Sequence, residues 1–148
     1  MTEFVCIFFG SDQIFKYLYK NGAKLSPSLW IYSIHGNNQE IIQILDENKI
    51  QPDDKTFSKC FNESIKCHDI QTSEFIRSNF VTDITEKELI LHSNSIKYCN
   101  YFYFPDDFND PLIFFLFCRY NYANIVKFLL EKTKPSINKL LIRFLFFK

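Results

Sequence analysis

A recurring group of apolar residues constrains this 148-residue chain more than any other feature of its sequence. Five anchor positions are each followed by a helical stripe at +4, +5, +7 and +8, which is apolar in four copies and half apolar in the third. The spacings between successive anchors are 27, 31, 26 and 27 residues. The anchors are Gly10, Asn37, His68, Asn94 and Asn121. This period is typical of repeat proteins, in which each unit buries its apolar face against its neighbours.

A second helical pattern precedes each anchor, with small or apolar residues four and three positions before it. These pairs begin at Cys6, Ser33, Ser64, Ile90 and Phe117. Each unit is therefore predicted to be a helix, a tight turn, a second helix and a polar loop. The predicted fold is an all-α solenoid of about five stacked antiparallel helix pairs in a single domain, residues 1–148. A small all-α bundle without solenoid order is the alternative fold.

The predicted unit boundaries agree with capping patterns. The units are expected at residues 1–25, 26–52, 53–82, 83–109 and 110–135, with 136–148 as a partial unit or a capping helix. Ser26 before Pro27 and Asp110 before Pro111 each combine an N-cap residue with proline at the first helical position. Gly22 after Asn21 predicts a left-handed helix end.

The composition argues against several classes of protein. Hydrophobic residues make up 47% of the chain, with 18 Phe and 8 Tyr, which is enough to form a core. The 17 basic and 17 acidic residues form no basic block, so nucleic acid is not an expected partner. Five widely spaced cysteines do not resemble a secreted disulfide framework. The apolar runs are far shorter than the ~18 residues of a membrane span, so a cytoplasmic location without membrane binding is expected.

Motifs for chemistry are also missing from the sequence. It contains no nucleophile motif, phosphate loop or paired-carboxylate signature, so neither enzyme activity nor a cofactor is expected. Cys60, Cys67 and His68 lack the tight cysteine pairs of a structural zinc site, and the two thiols are predicted to lie in the core. The carboxylates between Pro105 and Pro111 lack the glycine and final glutamate of a calcium loop. No metal site is predicted.

Three segments resemble a known repeat family. GSDQIFKYLYKNGAKLS (10–26), NNQEIIQIL (37–45) and NYANIVKFLL (121–130) resemble the second half of an ankyrin repeat. The chain is similar to the degenerate Phe/Tyr/Asn/Lys-rich ankyrin-like repeat proteins of protists. It departs from the family in lacking the Thr-Pro-Leu-His motif and in carrying Asn or His at four anchors where the family has Gly.

The resemblance implies a protein–protein interaction scaffold, a monomer that binds another protein through its concave face and loop tips. The alternative is a passive structural fragment of a longer repeat solenoid with no partner of its own. In an ankyrin-like unit the concave surface lies near the residues just before the anchor. The candidate partner-binding residues are Phe8, Phe9, His35, Lys66, Cys67, His92, Arg119 and Tyr120. The alternative interpretation is that these eight residues are ordinary surface or half-buried residues without a binding role.

Overall fold

The regular structure is entirely helical in the part of the chain that the computed structural model describes, residues 12–81, 84–105 and 110–132. The α-helices there are α1 (Asp12–Lys20), α2 (Leu29–His35), α3 (Gln39–Glu47), α4 (Ser58–Lys66), α5 (Ile70–Asn79), α6 (Ile84–Lys97), α7 (Pro111–Arg119) and α8 (Ala123–Lys132), and a short 3₁₀ helix covers Tyr101–Tyr103. The prediction of an all-α fold is confirmed for these residues. None of these helices has both the length and the apolar character needed to cross a membrane.

The described residues form two compact units, divided between Leu91 and His92. In the first unit α2 packs against both α3 and α4, and α4 packs against α5. In the second unit α7 packs against α8. The pairs α2–α3, α4–α5 and α7–α8 lie within the predicted repeat units, while the stacking of all pairs into one solenoid domain stays a prediction.

Four turns of equal length follow α2, α4, α6 and α7, at residues 36–38, 67–69, 98–100 and 120–122. The middle residue of each turn has a left-handed backbone, with φ values of 51°, 58°, 59° and 61°. These four residues are Asn37, His68, Cys99 and Asn121. In every turn the middle N–H donates to the carbonyl three residues earlier, and the next N–H donates to the carbonyl five residues earlier. This is the Schellman helix ending, built here without glycine.

The predicted fourth anchor, Asn94, is wrong. Asn94 lies inside α6, and the left-handed residue is Cys99, which follows His68 by the same 31 residues that separate His68 from Asn37. The second element of this pair is only the 3₁₀ helix, so Asn121 follows Cys99 after 22 residues. Tyr101 and Phe102 lie at the offsets predicted for buried residues, but they are 68% and 65% exposed.

A strict 31-residue repetition appears once Cys99 is taken as the anchor. The members are three fully buried serines and the isoleucines that follow them: Ser33, Ser64, Ser95, Ile34, Ile65 and Ile96. Each serine Oγ donates to the carbonyl three residues earlier, at 2.8 to 3.0 Å. In α4 the Ser64 Oγ also accepts a hydrogen bond from Ser73 Oγ of α5, at 2.9 Å. Small side chains at this position therefore allow the two helices of a pair to approach closely, as predicted for the pairs at Ser33 and Ser64.

The predicted caps are confirmed at two places and wrong at one. The Asp110 side chain accepts a hydrogen bond from Leu112 N at 2.8 Å, with Pro111 at the first turn of α7. Gly22 has the expected left-handed backbone, with φ 88°. Ser26 does not cap α2, because the helix begins at Leu29 and the Ser26 carbonyl instead accepts a turn hydrogen bond from the Leu29 N–H.

Aromatic side chains fill the core of the first unit. Trp30 is fully buried, and its ring centroid lies 5.0 Å from that of Phe57 and 6.0 Å from that of Phe80. The rings of Phe57 and Phe80 stack on each other at 4.1 Å. The indole Nε1 of Trp30 donates to the Ile50 carbonyl at 2.7 Å, which satisfies the buried polar atom of the indole.

Two asparagines that the sequence predicts as anchors differ in the structure, because Asn37 has a left-handed backbone and Asn94 lies inside α6. We expect Asn37→Ala to lower the free energy of unfolding by about 1 kcal/mol, because alanine tolerates the left-handed backbone less well than asparagine. Asn94→Ala is the matched control, and it should leave stability unchanged or slightly raised, since alanine is the better helix former. Urea unfolding followed by circular dichroism measures both. Equal losses in the two variants would contradict the position of Asn94 in the interior of α6.

Candidate functional site

Side chains from two neighbouring helices meet where α2 and α4 end. His35 is the last residue of α2, Lys66 is the last residue of α4, and Cys67 follows Lys66 as the first residue of the turn. Glu63 precedes Cys67 by four residues, so the two side chains share one helix face. Because α2 packs against α4, His35 reaches this face. We call His35, Glu63, Lys66 and Cys67 the helix-end cluster.

The Glu63 carboxylate is the centre of the helix-end cluster. Its Oε1 lies 2.9 Å from His35 Nδ1 and 3.0 Å from Lys66 Nζ. Cys67 Sγ lies 3.8 Å from both His35 Nδ1 and Glu63 Oε1. The Glu63 side chain is 18% exposed, whereas those of His35 and Lys66 are 36% and 42% exposed. The cluster thus places a half-buried carboxylate beneath side chains that solvent can reach.

Burial and the contacts within the helix-end cluster determine whether the Glu63 carboxyl and the Cys67 thiol are ionised. Burial would raise the pKa of Glu63, but hydrogen bonds from His35 and Lys66 outweigh it and hold that pKa below its usual range. Burial, helped by the negative charge of Glu63, raises the pKa of the Cys67 thiol to about 11. Near neutral pH the cluster therefore contains an ionised carboxylate next to a protonated thiol.

The second unit has basic residues at the corresponding helix ends. Lys97 ends α6 and Arg119 ends α7, each two residues before a left-handed turn residue, as His35 and Lys66 are in the first unit. Lys97 Nζ lies 4.8 Å from the ring centroid of Tyr98, and the guanidinium carbon of Arg119 lies 5.9 Å from that of Tyr120. The Tyr98 hydroxyl raises the pKa of Lys97 above its usual range. Each cation is thus held over the aromatic ring that follows it in sequence.

The structure brings together three of the predicted partner-binding residues, since His35, Lys66 and Cys67 all belong to the helix-end cluster. Arg119 and Tyr120 contact each other in the second unit. Phe8 and Phe9 lie outside the described residues.

His92 is not at the helix-end position. It precedes Cys99 by seven residues, which is the position that the buried Trp30 and Phe61 occupy in the two preceding pairs. The side chain of His92 is half-buried in α6, and its carbonyl accepts the hydrogen bond of Ser95. The alignment that groups His92 with His35 is wrong because it depends on the wrong anchor, Asn94.

Three residues of these sites are missed by the sequence reasoning, namely Glu63, Lys97 and Tyr98. The correct anchor at Cys99 predicts Lys97 and Tyr98 directly, because they occupy the positions of His35 and its successor. Glu63 gives a weaker signal, which is its spacing of three residues from Lys66 and four from Cys67 on one helix.

The two thiols of α4 and its turn differ in environment. Cys60 is fully buried, as predicted, and burial raises its pKa to about 12. Cys67 is only half-buried and faces the helix-end cluster, so the prediction that it is a core thiol is wrong. It lies just after the end of α4, as the first residue of the turn.

Comparisons with known proteins add no relative. No protein-family model matches the chain, no curated protein matches it, and no solved structure matches it. The resemblance to ankyrin repeats therefore stays a prediction that depends on the residues quoted above.

Proposed function

We propose that this chain is an interaction scaffold that binds acidic segments of another protein through the basic ends of the first helices in each unit. One observation carries the proposal. The helices that precede the turns at residues 36–38, 67–69, 98–100 and 120–122 all end in an exposed basic residue, in a chain whose net charge is zero. These residues are His35, Lys66, Lys97 and Arg119.

A basic residue at a helix end has a local role, since it offsets the negative end of the helix dipole. The dipole does not account for the tyrosine that follows in both turns of the second unit, Tyr98 and Tyr120. Tyrosine offers a large, rigid contact area with a polar tip, and arginine forms paired hydrogen bonds with carboxylates. The combination favours a partner with carboxylates next to apolar side chains.

The charge distribution of the second unit supports an acidic partner. Its described part carries two acidic residues, Asp110 and Glu131. Asp110 caps the opposite end of α7, and Glu131 lies in the last turn of α8. The positive charges of Lys97 and Arg119 are therefore not neutralised by a carboxylate among the described residues of the second unit.

The turns also favour binding with little loss of conformational freedom. In each turn two backbone hydrogen bonds hold the residues next to the basic side chain. A surface that is ordered before binding loses less entropy when a partner docks. A cytoplasmic, monomeric protein without enzyme activity would suit this role.

The test compares two double variants with equal changes in charge. Purified wild-type chain, the variant Lys97→Glu/Arg119→Glu and the control Lys127→Glu/Lys132→Glu are immobilised and exposed to a cell extract. The control residues lie on α8 of the same unit and are exposed. We expect a specific retained protein to be lost at least about tenfold from the first variant and kept by the control, with weaker retention at high salt.

Two results would count against the proposal. Equal retention by both double variants would move the binding surface away from the helix ends. If the wild-type chain retains no specific protein, the passive structural role becomes the better explanation.

A further inference from the structure

We propose that His35, Glu63 and Cys67 of the helix-end cluster form a binding site for Zn²⁺, with water as the fourth ligand. The inference does not depend on the scaffold function. It goes against the sequence-based expectation of no metal site, because His35 joins the cluster only through the packing of α2 on α4. The three side chains offer one nitrogen, one oxygen and one sulfur ligand atom, all within 4.8 Å of one another.

The separations of the ligand atoms are close to those of a tetrahedral zinc site. Zinc bonds of about 2.0 to 2.3 Å place a sulfur ligand about 3.6 Å from its neighbours, and nitrogen about 3.4 Å from oxygen. Cys67 Sγ lies 3.8 Å from both His35 Nδ1 and Glu63 Oε1. The remaining pair, His35 Nδ1 and Glu63 Oε1, is 2.9 Å apart. Each separation is within about 0.5 Å of its value in a zinc site, so side-chain adjustments alone would complete the geometry.

The ligand types select among metal ions. Calcium and magnesium require oxygen ligands, which a thiolate and an imidazole do not provide. Imidazole, carboxylate and thiolate together suit zinc, and three protein ligands with an open position are a common zinc arrangement. Binding would take a proton from the Cys67 thiol to solvent and would require the neutral form of His35. The partial exposure of the cluster gives an ion a route from solvent.

Lys66 disfavours metal binding at this site. Its ammonium group binds both oxygens of Glu63, at 3.0 and 3.2 Å. An incoming Zn²⁺ competes with that ion pair for the carboxylate and is repelled by the positive charge. Lys66 is therefore expected to weaken binding, and its removal should strengthen it. Metal adsorbed nonspecifically on the surface would not depend on this one lysine.

The experiment titrates Zn²⁺ into the full chain by calorimetry and uses Co²⁺ as a spectroscopic substitute. We expect one bound ion, with a thiolate-to-cobalt charge-transfer band in the near ultraviolet. Cys67→Ser and His35→Asn should each weaken Zn²⁺ binding at least about tenfold. Lys66→Gln should strengthen it several-fold. Cys118→Ser is the matched control, because Cys118 is an exposed thiol of the second unit, and it should leave both readouts unchanged.

Circular dichroism of each variant confirms that the helices are retained before binding is compared. The proposal is overturned if the wild-type chain binds no Zn²⁺ at millimolar concentration. It is also overturned if Cys67→Ser binds as tightly as the wild type, or if Co²⁺ binds without a thiolate band. Tighter binding by Lys66→Gln that disappears in Lys66→Gln/Cys67→Ser would assign the effect to the cluster.

Discussion

Trp30→Ala is expected to lower the free energy of unfolding by about 4 kcal/mol, because it removes a large, fully buried side chain. The substitution would leave a cavity beside the stacked rings of Phe57 and Phe80, which contact the indole edge-on. It would also remove the donor that satisfies the Ile50 carbonyl. Urea unfolding followed by far-ultraviolet circular dichroism measures the loss.

Two further variants separate the contributions of packing and hydrogen bonding at Trp30. Trp30→Phe keeps an aromatic ring against Phe57 and Phe80 but loses the indole N–H, so we expect a loss of about 2 kcal/mol. Tyr17→Ala changes an aromatic side chain that is 68% exposed, and should cost less than about 0.5 kcal/mol. A loss below about 1 kcal/mol for Trp30→Ala would mean that the aromatic core of the first unit is not packed as described.

Ser64→Leu is expected to lower the free energy of unfolding by about 3 kcal/mol, because leucine is too large for the space that serine occupies. Ser64 is fully buried where α4 meets α5, and its Oγ lies 2.9 Å from Ser73 Oγ. A leucine there would either push the two helices apart or adopt a strained rotamer. The same unfolding measurement applies, and the helical signal of the folded state shows whether the variant still folds.

Ser64→Ala is the control for the Ser64 prediction. It keeps the small volume and removes only the hydrogen bonds of the hydroxyl group, so its cost should be about 1 kcal/mol. The order leucine, then alanine, then wild type is the expected ranking of increasing stability. If alanine costs as much as leucine, the serine acts through its hydrogen bonds and not through its size.

Much of the helical pattern was predictable, because helix pairs leave local signals. The anchors Asn37, His68 and Asn121 and the buried pairs at Ser33 and Ser64 depend on periodicity within a few turns of chain. The prediction of the fourth anchor is wrong for a physical reason. In a chain with 18 Phe and 8 Tyr, apolar residues fall at the required offsets by chance, as they do after Asn94.

Residues with a defined role in the turns indicate the register of the fourth unit more reliably than apolar residues do. Asn38, Asp69 and Asn100 follow the left-handed residues at strict 31-residue intervals, with nearly identical ψ values of 87°, 87° and 84°. Asn38 and Asp69 accept a hydrogen bond from the N–H three residues later and so begin α3 and α5. Polar residues with a defined capping role are rarer than apolar ones, and they mark a register more sharply.

The candidate site was only partly predictable, because it depends on how helices pack. His35, Lys66 and Cys67 were marked by their positions before the anchors, but nothing local relates His35 to Glu63, 28 residues away. That contact requires α2 to lie against α4, which no local sequence pattern predicts. The four-residue spacing of Glu63 and Cys67 was visible, but many helices contain such spacings without a shared site.

The left-handed turns have a consequence for how this chain can diversify. Their hydrogen bonds use backbone atoms, and the residue at each centre is exposed, so its side chain is not needed for the turn to close. Asparagine, histidine and cysteine already occupy these four centres. Each is a position of fixed backbone geometry at which residues that tolerate a left-handed backbone, such as asparagine, aspartate, histidine and glycine, can replace one another at small cost in stability. A library restricted to such residues at positions 37, 68, 99 and 121 would thus sample new surfaces while leaving the core sequence unchanged.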